Sequence, residues 1–462
     1  LCEYNLPALV YRATLADDPQ RWVAQWAEAF DVSKVTRGFF NDYHTAFDTV
    51  ENNIRGVRGP GAAERKRLYT QRLLNRLMFL YFIERKGWLT YNGSTRYLHS
   101  LFESAEAADE NFLGDRLYWL FFYGLNLKRD ELDDETKAIV LDKCGEVPYL
   151  NGGLFTLLDD LDRRGAVTLP NDAFRAVIDL FERYNFTVTE STPLDIEVAV
   201  DPEMLGKVFE ELVTGRHESG SYYTPRPVVS FMCREALKGF LVDAAGTPPA
   251  DAEAVVYDHD ASNLTEAQAR RIIDALDTLK AVDPACGSGA YLLGLLHEMV
   301  DIYHCLFSEK LRRDSRSVFQ LKQRIITDNL YGVDRDTLAV GVARLRLWLS
   351  LAVESDTPMP LPNLDFKIET GDSITAPDPS GRHTENMLFR LESIRQFDDL
   401  KAAYLRARSD TKRKELLDQI GAIRAELREN NKCGEGDFDW RVEFAEVFAP
   451  RGGVGVGHDN RL

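Results

Sequence analysis

Apolar residues recur at helical spacing through the first part of the chain. After Asp31 and Ser33, either of which could cap a helix, the apolar positions follow every three or four residues: Phe39, Tyr43, Phe47 and Val50. The same kind of spacing predicts a second helix from about Ala62 to Lys86. Residues 1–195 are therefore predicted to form a mostly helical N-terminal region.

Near residue 196 the pattern changes to helices that alternate with short apolar strands. Helices are predicted over 228–241, with Thr224 as a hydroxyl cap, and from Ala290 onward. Strands are predicted at 279–282, 330–333 and 365–368. This alternation is typical of a parallel, doubly wound sheet. We therefore expect an α/β fold with a Rossmann-like sheet over residues 196–375.

Residues 376–437 interrupt this alternation with a heavily charged stretch. Apolar residues at helical spacing between 416 and 427 predict a helical hairpin over 391–432, inserted into the sheet domain. The tip of the hairpin is basic, with Arg406, Arg408, Lys412, Arg413 and Lys414. The sequence leaves open whether this tip is simply solvated or contacts a DNA backbone. Residues 438–462 form a separate final segment.

Composition narrows the possible partners. The 462 residues are 44% hydrophobic and 28% charged, and no apolar run approaches the roughly 20 residues of a membrane span. The net charge of −18 means that nucleic acid could bind only at a local basic surface. Six scattered cysteines predict free thiols in the cytoplasm rather than a zinc site or disulfides.

The predicted helix over 62–86 carries a second set of basic residues. These are Arg65, Lys66, Arg67, Arg72, Arg76, Arg85 and Lys86. A solvated helix face is the leading interpretation of this set, and a face that contacts phosphates is the alternative.

The segment from Asp283 to Gly289, Asp-Pro-Ala-Cys-Gly-Ser-Gly, is the strongest chemical signal in the chain. It follows an apolar strand and precedes a helix, so the helix N–H groups would face an anionic group. Gly287 and Gly289 would let the backbone turn tightly and approach a ligand closely. The sequence therefore predicts a ligand-binding loop at the carboxyl end of a strand.

Acidic residues follow the next two predicted strands. Asp334 ends one strand, where a carboxylate can accept hydrogen bonds from ribose hydroxyls. Asp372 follows the third strand and could accept a hydrogen bond from an adenine amino group. Because the carboxyl ends of parallel strands share one edge, we expect a single crevice there.

The order of these motifs resembles a known family. The turn over 220–227 comes first, then the glycine loop, then Asp334 and Asp372, as in adenine-specific DNA methyltransferases that modify the N6 amine. The likeness covers about residues 30–448 and is closest to the methylase part of type II restriction–modification enzymes. It implies S-adenosylmethionine as cofactor, double-stranded DNA as partner and no membrane. A fused nuclease or other defence-system subunits would lie outside this chain.

The resemblance also implies a role for each matching residue. Tyr223 and Thr224 would touch the methionine part of the cofactor. The cofactor loop would consist of Asp283, Pro284, Ala285, Gly287 and Gly289. Asp334 would bind the ribose, and Asp372 the adenine amine.

The chain departs from the family at the catalytic motif. The family's Asn/Asp-Pro-Pro-Tyr/Phe motif is absent from this sequence. The Gly-rich segment after Phe448 resembles no segment of the family. We therefore expect an inactive fragment with an incomplete sheet, produced by a frameshift, an early stop or divergence. A non-catalytic DNA- or protein-binding module that kept the fold is the alternative. A small-molecule methyltransferase is disfavoured by the helical N-terminal region.

Overall fold

The computed structural model describes most of the chain between residues 32 and 444. The described ranges are 32–150, 153–157, 159–184, 224–311, 317–376, 410–430 and 438–444, with shorter stretches among 393–404 and residue 447. The predicted Tyr223 and the tail after Phe448 lie outside these ranges.

Five α-helices make up the described part of the N-terminal region. They are α1 (Val32–Asn53), α2 (Ala62–Arg85), α3 (Tyr97–Ala107), α4 (Asp134–Cys144) and α5 (Asn171–Arg183). The four apolar positions read from the sequence of α1 are all buried, which confirms the helical spacing. Ser33 lies within α1, and Asp31 lies outside the described residues. Phe121 and Phe122 lie in a π-helical turn, Leu120–Gly124, and are also buried.

Two basic residues of α2, Arg76 and Arg72, do not lie on the solvated face that the sequence favoured, whereas Arg85 is exposed. Arg76 is 2% exposed and its guanidinium lies 2.9 Å from the buried carboxylate of Asp162. Arg72 and Arg65 pair with Asp159 and Asp160 of the same loop. The prediction was wrong for Arg76 and Arg72 because their acidic partners are about 90 residues away in sequence, beyond the reach of a local pattern.

In the described part of the chain after residue 224, there are eight further α-helices and three strands. The helices are α6 (Arg226–Ala245), α7 (Pro249–Glu253), α8 (Glu266–Thr278), α9 (Ala290–Leu306), α10 (Val318–Asp328), α11 (Thr337–Ala352), α12 (Asp410–Asn430) and α13 (Trp440–Glu443). The strands are β1 (Ala281–Asp283), β2 (Leu330–Asp334) and β3 (Ile368–Thr370). The described residues are thus mostly helical around a small sheet.

The sheet is parallel, with the order β1-β2-β3. Asp283 pairs with Gly332, and Asp334 with Thr370, so the three strands end at the same edge. Two α-helices, α9 and α10, connect β1 to β2. The helix α11 alone connects β2 to β3.

The third strand begins three residues later than predicted. Phe366 has a positive φ of 65°, which an extended strand cannot accommodate, and residues 365–367 form a turn. The N–H of Phe366 donates to the Glu369 carboxylate at 2.7 Å, which fastens this turn. The predicted strand at 365–368 therefore had the wrong bounds, because the apolar Phe366 belongs to a turn that packs on α12 of the insertion.

The two faces of the sheet have different coverings. Ala281, Leu330 and Ile368 pack in the main core, which contains the helices α9, α10 and α11. On the other face, Tyr331 and Val333 form a cluster with Phe438, Trp440 and Phe444 of the final segment. Residues 438–444 therefore return to the sheet after the insertion.

The insertion is helical where it is described. The helix α12 spans 410–430, and its buried Leu416 and Ile420 pack in a cluster with Phe366. Among the described residues of the predicted tip, Lys412 is exposed and lies 2.8 Å from Glu415. Arg406 and Arg408 lie outside the described residues.

The helical region and the sheet part share one hydrophobic core. At the start of α11, the Gln71 side-chain amide donates to the Leu338 carbonyl at 2.8 Å. At the end of α11, the Lys86 ammonium donates to the Val353 carbonyl at 2.7 Å. The helix α2 thus holds both ends of α11.

No helix in the described ranges has the length and apolar character needed to cross a bilayer.

Candidate functional site

The glycine loop connects β1 to α9 in the predicted place. Gly287 and Gly289 both have positive φ, at 51° and 86°. The Gly289 N–H donates to the Cys286 carbonyl at 2.7 Å, and the Cys286 N–H to the Val333 carbonyl at 2.8 Å. Gly289 is the N-cap of α9, and it has no side chain to satisfy the N–H groups of the first turn. The N-cap residue therefore provides no side-chain acceptor for the first turn of α9.

Asp334, at the end of β2, directly supports this loop. One carboxylate oxygen accepts the Gly287 N–H at 2.8 Å, and the other accepts the Asp336 N–H at 2.8 Å. Its backbone carbonyl accepts the N–H of Gly371, which follows β3, at 2.9 Å. Asp334 therefore links all three strand ends, and the structure brings the predicted loop and this acidic residue together.

Asp283 has an unsatisfied carboxylate. Its Oδ1 accepts the Ala285 N–H at 3.2 Å, whereas its Oδ2 is buried and has no partner among the described residues. Burial, with a smaller contribution from the nearby Asp334, raises the pKa of Asp283 to about 6. A buried acceptor without a donor lowers the stability of the fold and is typical of a ligand-binding site. Pro284 and Ala285, next in the loop, are exposed.

Gly289 also has a packing role that the sequence did not suggest. A Cβ at this position would lie 3.0 Å from the Ala343 Cβ and 3.2 Å from its Cα. The missing side chain therefore permits α11 to pack closely against the start of α9. Closeness to a ligand is not needed to explain this glycine.

Asp372 lies two residues beyond β3 and participates in a local turn. Its Oδ1 accepts the N–H groups of Ile374 at 3.0 Å and Thr375 at 3.2 Å. These hydrogen bonds, that of Thr375 first, lower its pKa. Gly371, its neighbour, lies under the Phe438 ring, and a Cβ there would be 2.5 Å from that ring. Asp372 is thus at the expected edge, with one oxygen already engaged.

Thr224 does not cap the following helix. The N-cap of α6 is Pro225, and no side chain makes a capping bond there. Thr224 instead lines a cavity of about 200 Å³, together with Arg226, Ala290, His297 and Arg346. Thr224 and the first residue of α9 therefore border the same cavity. The capping prediction was wrong because Pro225, and not the hydroxyl residue, stands at the boundary.

Arg346 and Ser288 are site residues that the sequence analysis missed. The Arg346 guanidinium donates to the Ser288 carbonyl at 2.7 Å and to its Oγ at 3.1 Å. The only sequence signal was an arginine in the otherwise apolar face of α11, which local spacing could not connect to a loop 58 residues earlier.

Known proteins share parts of this chain. Residues 259–357 match the family model of the DNA-methyltransferase domain of MmeI. Over 374 residues, 76% of the chain, it is 28% identical to a protein of Methanocaldococcus jannaschii predicted to be a type II restriction enzyme and methyltransferase, 31% of which is covered. Over 289 residues, 60% of the chain, it is 23% identical to DNA methyltransferase A of Bacillus subtilis, 27% of which is covered. The chain thus spans less than a third of the length of these relatives.

Two solved structures are also similar. One is the type IIL restriction–modification enzyme MmeI in complex with DNA, with 16% identity and a TM-score of 0.47 over 73% of this chain and 40% of that one. The other is a DrdV–DNA complex, with 13% identity and a TM-score of 0.29 over 74% of this chain and 26% of that one. The family model and the curated relatives confirm the resemblance read from the motifs. The chain is thus similar to DNA methyltransferases over most of its length and, over residues 259–357, to the DNA-methyltransferase domain of MmeI.

Proposed function

We propose that the chain contributes the cofactor-binding half of an S-adenosylmethionine-dependent, adenine-specific DNA methyltransferase that acts in the cytoplasm. The observation that carries this proposal is the meeting of the glycine loop, Asp334 and Asp372 at one edge of a parallel sheet. Open parallel sheets bind nucleotide-like ligands at this edge. The three strands are the corresponding part of a Rossmann-like sheet.

The polar groups at this edge fit the cofactor. The unsatisfied Asp283 Oδ2 suits the ammonium group of the methionine part, and the first turn of α9 suits its carboxylate. The remaining loop contacts would come from Pro284, Ala285 and Gly287, with Tyr223 and Thr224 from the preceding turn. Asp334 would accept hydrogen bonds from the ribose, and Asp372 from the adenine amine. When bound, S-adenosylmethionine supplies an electrophilic methyl group.

The domain roles follow from this arrangement. Residues 1–195 would support the core at 196–375, and the insertion at 376–437 would offer basic side chains to double-stranded DNA. Residues 438–462 would begin the catalytic half. A nuclease or other defence-system subunit, as the name of the M. jannaschii relative suggests, would lie outside this chain.

Calorimetric titration of the full chain with S-adenosylmethionine tests cofactor binding. Asp334→Asn should weaken binding roughly ten- to hundred-fold, since it removes charge from the ribose acceptor and from the bond to Gly287. Asp336→Asn is the matched control: Asp336 caps α11 two residues further on, and asparagine caps equally well. Equal affinities for the wild type and Asp334→Asn would refute this cofactor site.

We also propose that the chain does not transfer methyl groups by itself. The Asn/Asp-Pro-Pro-Tyr/Phe motif, which would hold the flipped base and its amine, occurs nowhere in the 462 residues. The assay incubates the purified chain with duplex DNA and labelled S-adenosylmethionine, and measures N6-methyladenine. Any turnover contradicts the proposal. A non-catalytic DNA-binding module is the second candidate, and it predicts DNA binding without a requirement for the cofactor.

A further inference from the structure

Arg346 is a buried charge in direct contact with the glycine loop. It projects from α11, is 1% exposed, and donates to both the carbonyl and the Oγ of Ser288. Ser288 is itself only 2% exposed. Burial of a guanidinium is costly unless its N–H groups find acceptors, so the Ser288 oxygens help to offset a substantial desolvation penalty.

The loop is thus held at two consecutive residues by two different elements, the strand β2 and the helix α11. Asp334 accepts the N–H of Gly287, and Arg346 donates to the carbonyl of Ser288. The hydrogen bond from Arg346 directs the Ser288 carbonyl oxygen toward the interior of the protein. A carbonyl directed at the ligand would repel an anionic group, whereas the N–H groups of the first turn of α9 attract one.

The positive charge of Arg346 also favours an anionic group at the start of α9. Guanidinium stays protonated at all relevant pH values, and Ser288 directly precedes the N-cap of α9. His297, on the same cavity, is held neutral because burial and the neighbouring cations, Lys322 first, lower its pKa to about 4. Arg346, whose guanidinium contacts Ser288, therefore adds a fixed positive charge at this end of the loop, beside those of Arg226 and Lys322 on the same cavity, and it strengthens the positive potential at the helix start.

We propose that Arg346 is a positioning residue for the methionine part of the cofactor. It fixes the loop conformation in which the α9 N–H groups, and not the Ser288 carbonyl, meet the cofactor carboxylate. This inference rests on the proposed function and assigns a role in it to a residue that does not itself touch the ligand. Asp334 serves the nucleoside part, so the two residues act on different halves of one molecule.

The test compares ligands that differ in the methionine part. The full chain is titrated with S-adenosylmethionine, S-adenosylhomocysteine and 5′-methylthioadenosine, which lacks the amino-acid group. Arg346→Met should weaken binding of the first two roughly ten- to hundred-fold, as expected for loss of a charged hydrogen bond, and leave 5′-methylthioadenosine nearly unchanged. A purely structural role would weaken all three ligands alike.

Arg344→Met is the matched control on the same helix. Arg344 donates to the Ile368 carbonyl at 3.0 Å and pairs with Asp365, so it supports β3 and not the loop. This variant should lower the melting temperature without changing the ratio of affinities for S-adenosylmethionine and 5′-methylthioadenosine. If Arg346→Met does not fold, Arg346→Lys retains the charge without the two-pronged donor, and should still weaken S-adenosylmethionine selectively.

The outcomes separate the inference from the proposed function. If the wild type binds none of the three ligands, the proposed cofactor site is wrong. If the wild type binds them and the Arg346 variants weaken all three equally, or none, the site stands and the positioning role is refuted. Selective loss of the two ligands with an amino-acid group supports the inference.

Discussion

Asp283 has a carboxyl group whose ionisation the fold opposes. Its pKa rises to about 6 on folding, from about 3.9 in an unfolded chain, because it is buried with one oxygen unsatisfied. Between these two values the unfolded state loses the proton first, so stability falls as pH rises through this window. A residue that lowers stability and yet lies in a ligand crevice is expected to serve binding.

Asp283→Asn should therefore stabilise the chain only at neutral pH. Asparagine keeps the oxygen that accepts the Ala285 N–H and removes the buried charge. We expect the free energy of unfolding to match the wild type near pH 4 and to exceed it by about 1–3 kcal/mol at pH 7. Urea titrations at both pH values measure this. Glu84, whose burial raises its pKa to about 7, titrates in both proteins and cancels in the difference. An effect independent of pH would contradict the argument.

At the scale of elements, the start of α9 packs so closely on α11 that a substitution at Gly289 affects stability as well as any ligand contact. Gly289→Ala should lower the free energy of unfolding by about 1–3 kcal/mol, because the new Cβ meets Ala343 and φ is positive. Gly239→Ala in α6 is the control: a Cβ there meets nothing within 4 Å, and alanine favours helix by about 0.5–1 kcal/mol. Equal effects at the two positions would mean that α11 does not constrain the loop. Loss of cofactor affinity at Gly289 would therefore not by itself show ligand contact.

For the whole molecule, the shared core predicts cooperative unfolding of the helical region and the sheet part. The contacts of Gln71 and Lys86 with the two ends of α11 join parts that the sequence divides near residue 196. Hydrogen exchange measured in urea should give the same midpoint for peptides from α2 and from α9. Lys86→Met should lower both midpoints together. An earlier transition in α9 alone would show that the two parts unfold independently.

The sequence by itself determined the features that depend on neighbours within about one turn. The spacing of apolar residues predicted α2 to within one residue. The order of strands and the acidic residues after them predicted the parallel edge, because parallel strands all end on the same side. The motif order predicted the likeness to DNA methyltransferases that the family model and the curated relatives confirm.

Only the tertiary structure decided the features that depend on distant partners. Arg76 is buried because Asp162 lies opposite it, Gly289 is a glycine because Ala343 packs there, and Phe366 bends into a turn that packs on the insertion. Arg346 contacts Ser288 of the glycine loop, which lies 58 residues earlier in the sequence. Each of these contacts joins residues that no local period relates. A charge, a glycine or an aromatic residue therefore takes its role from what the fold brings beside it.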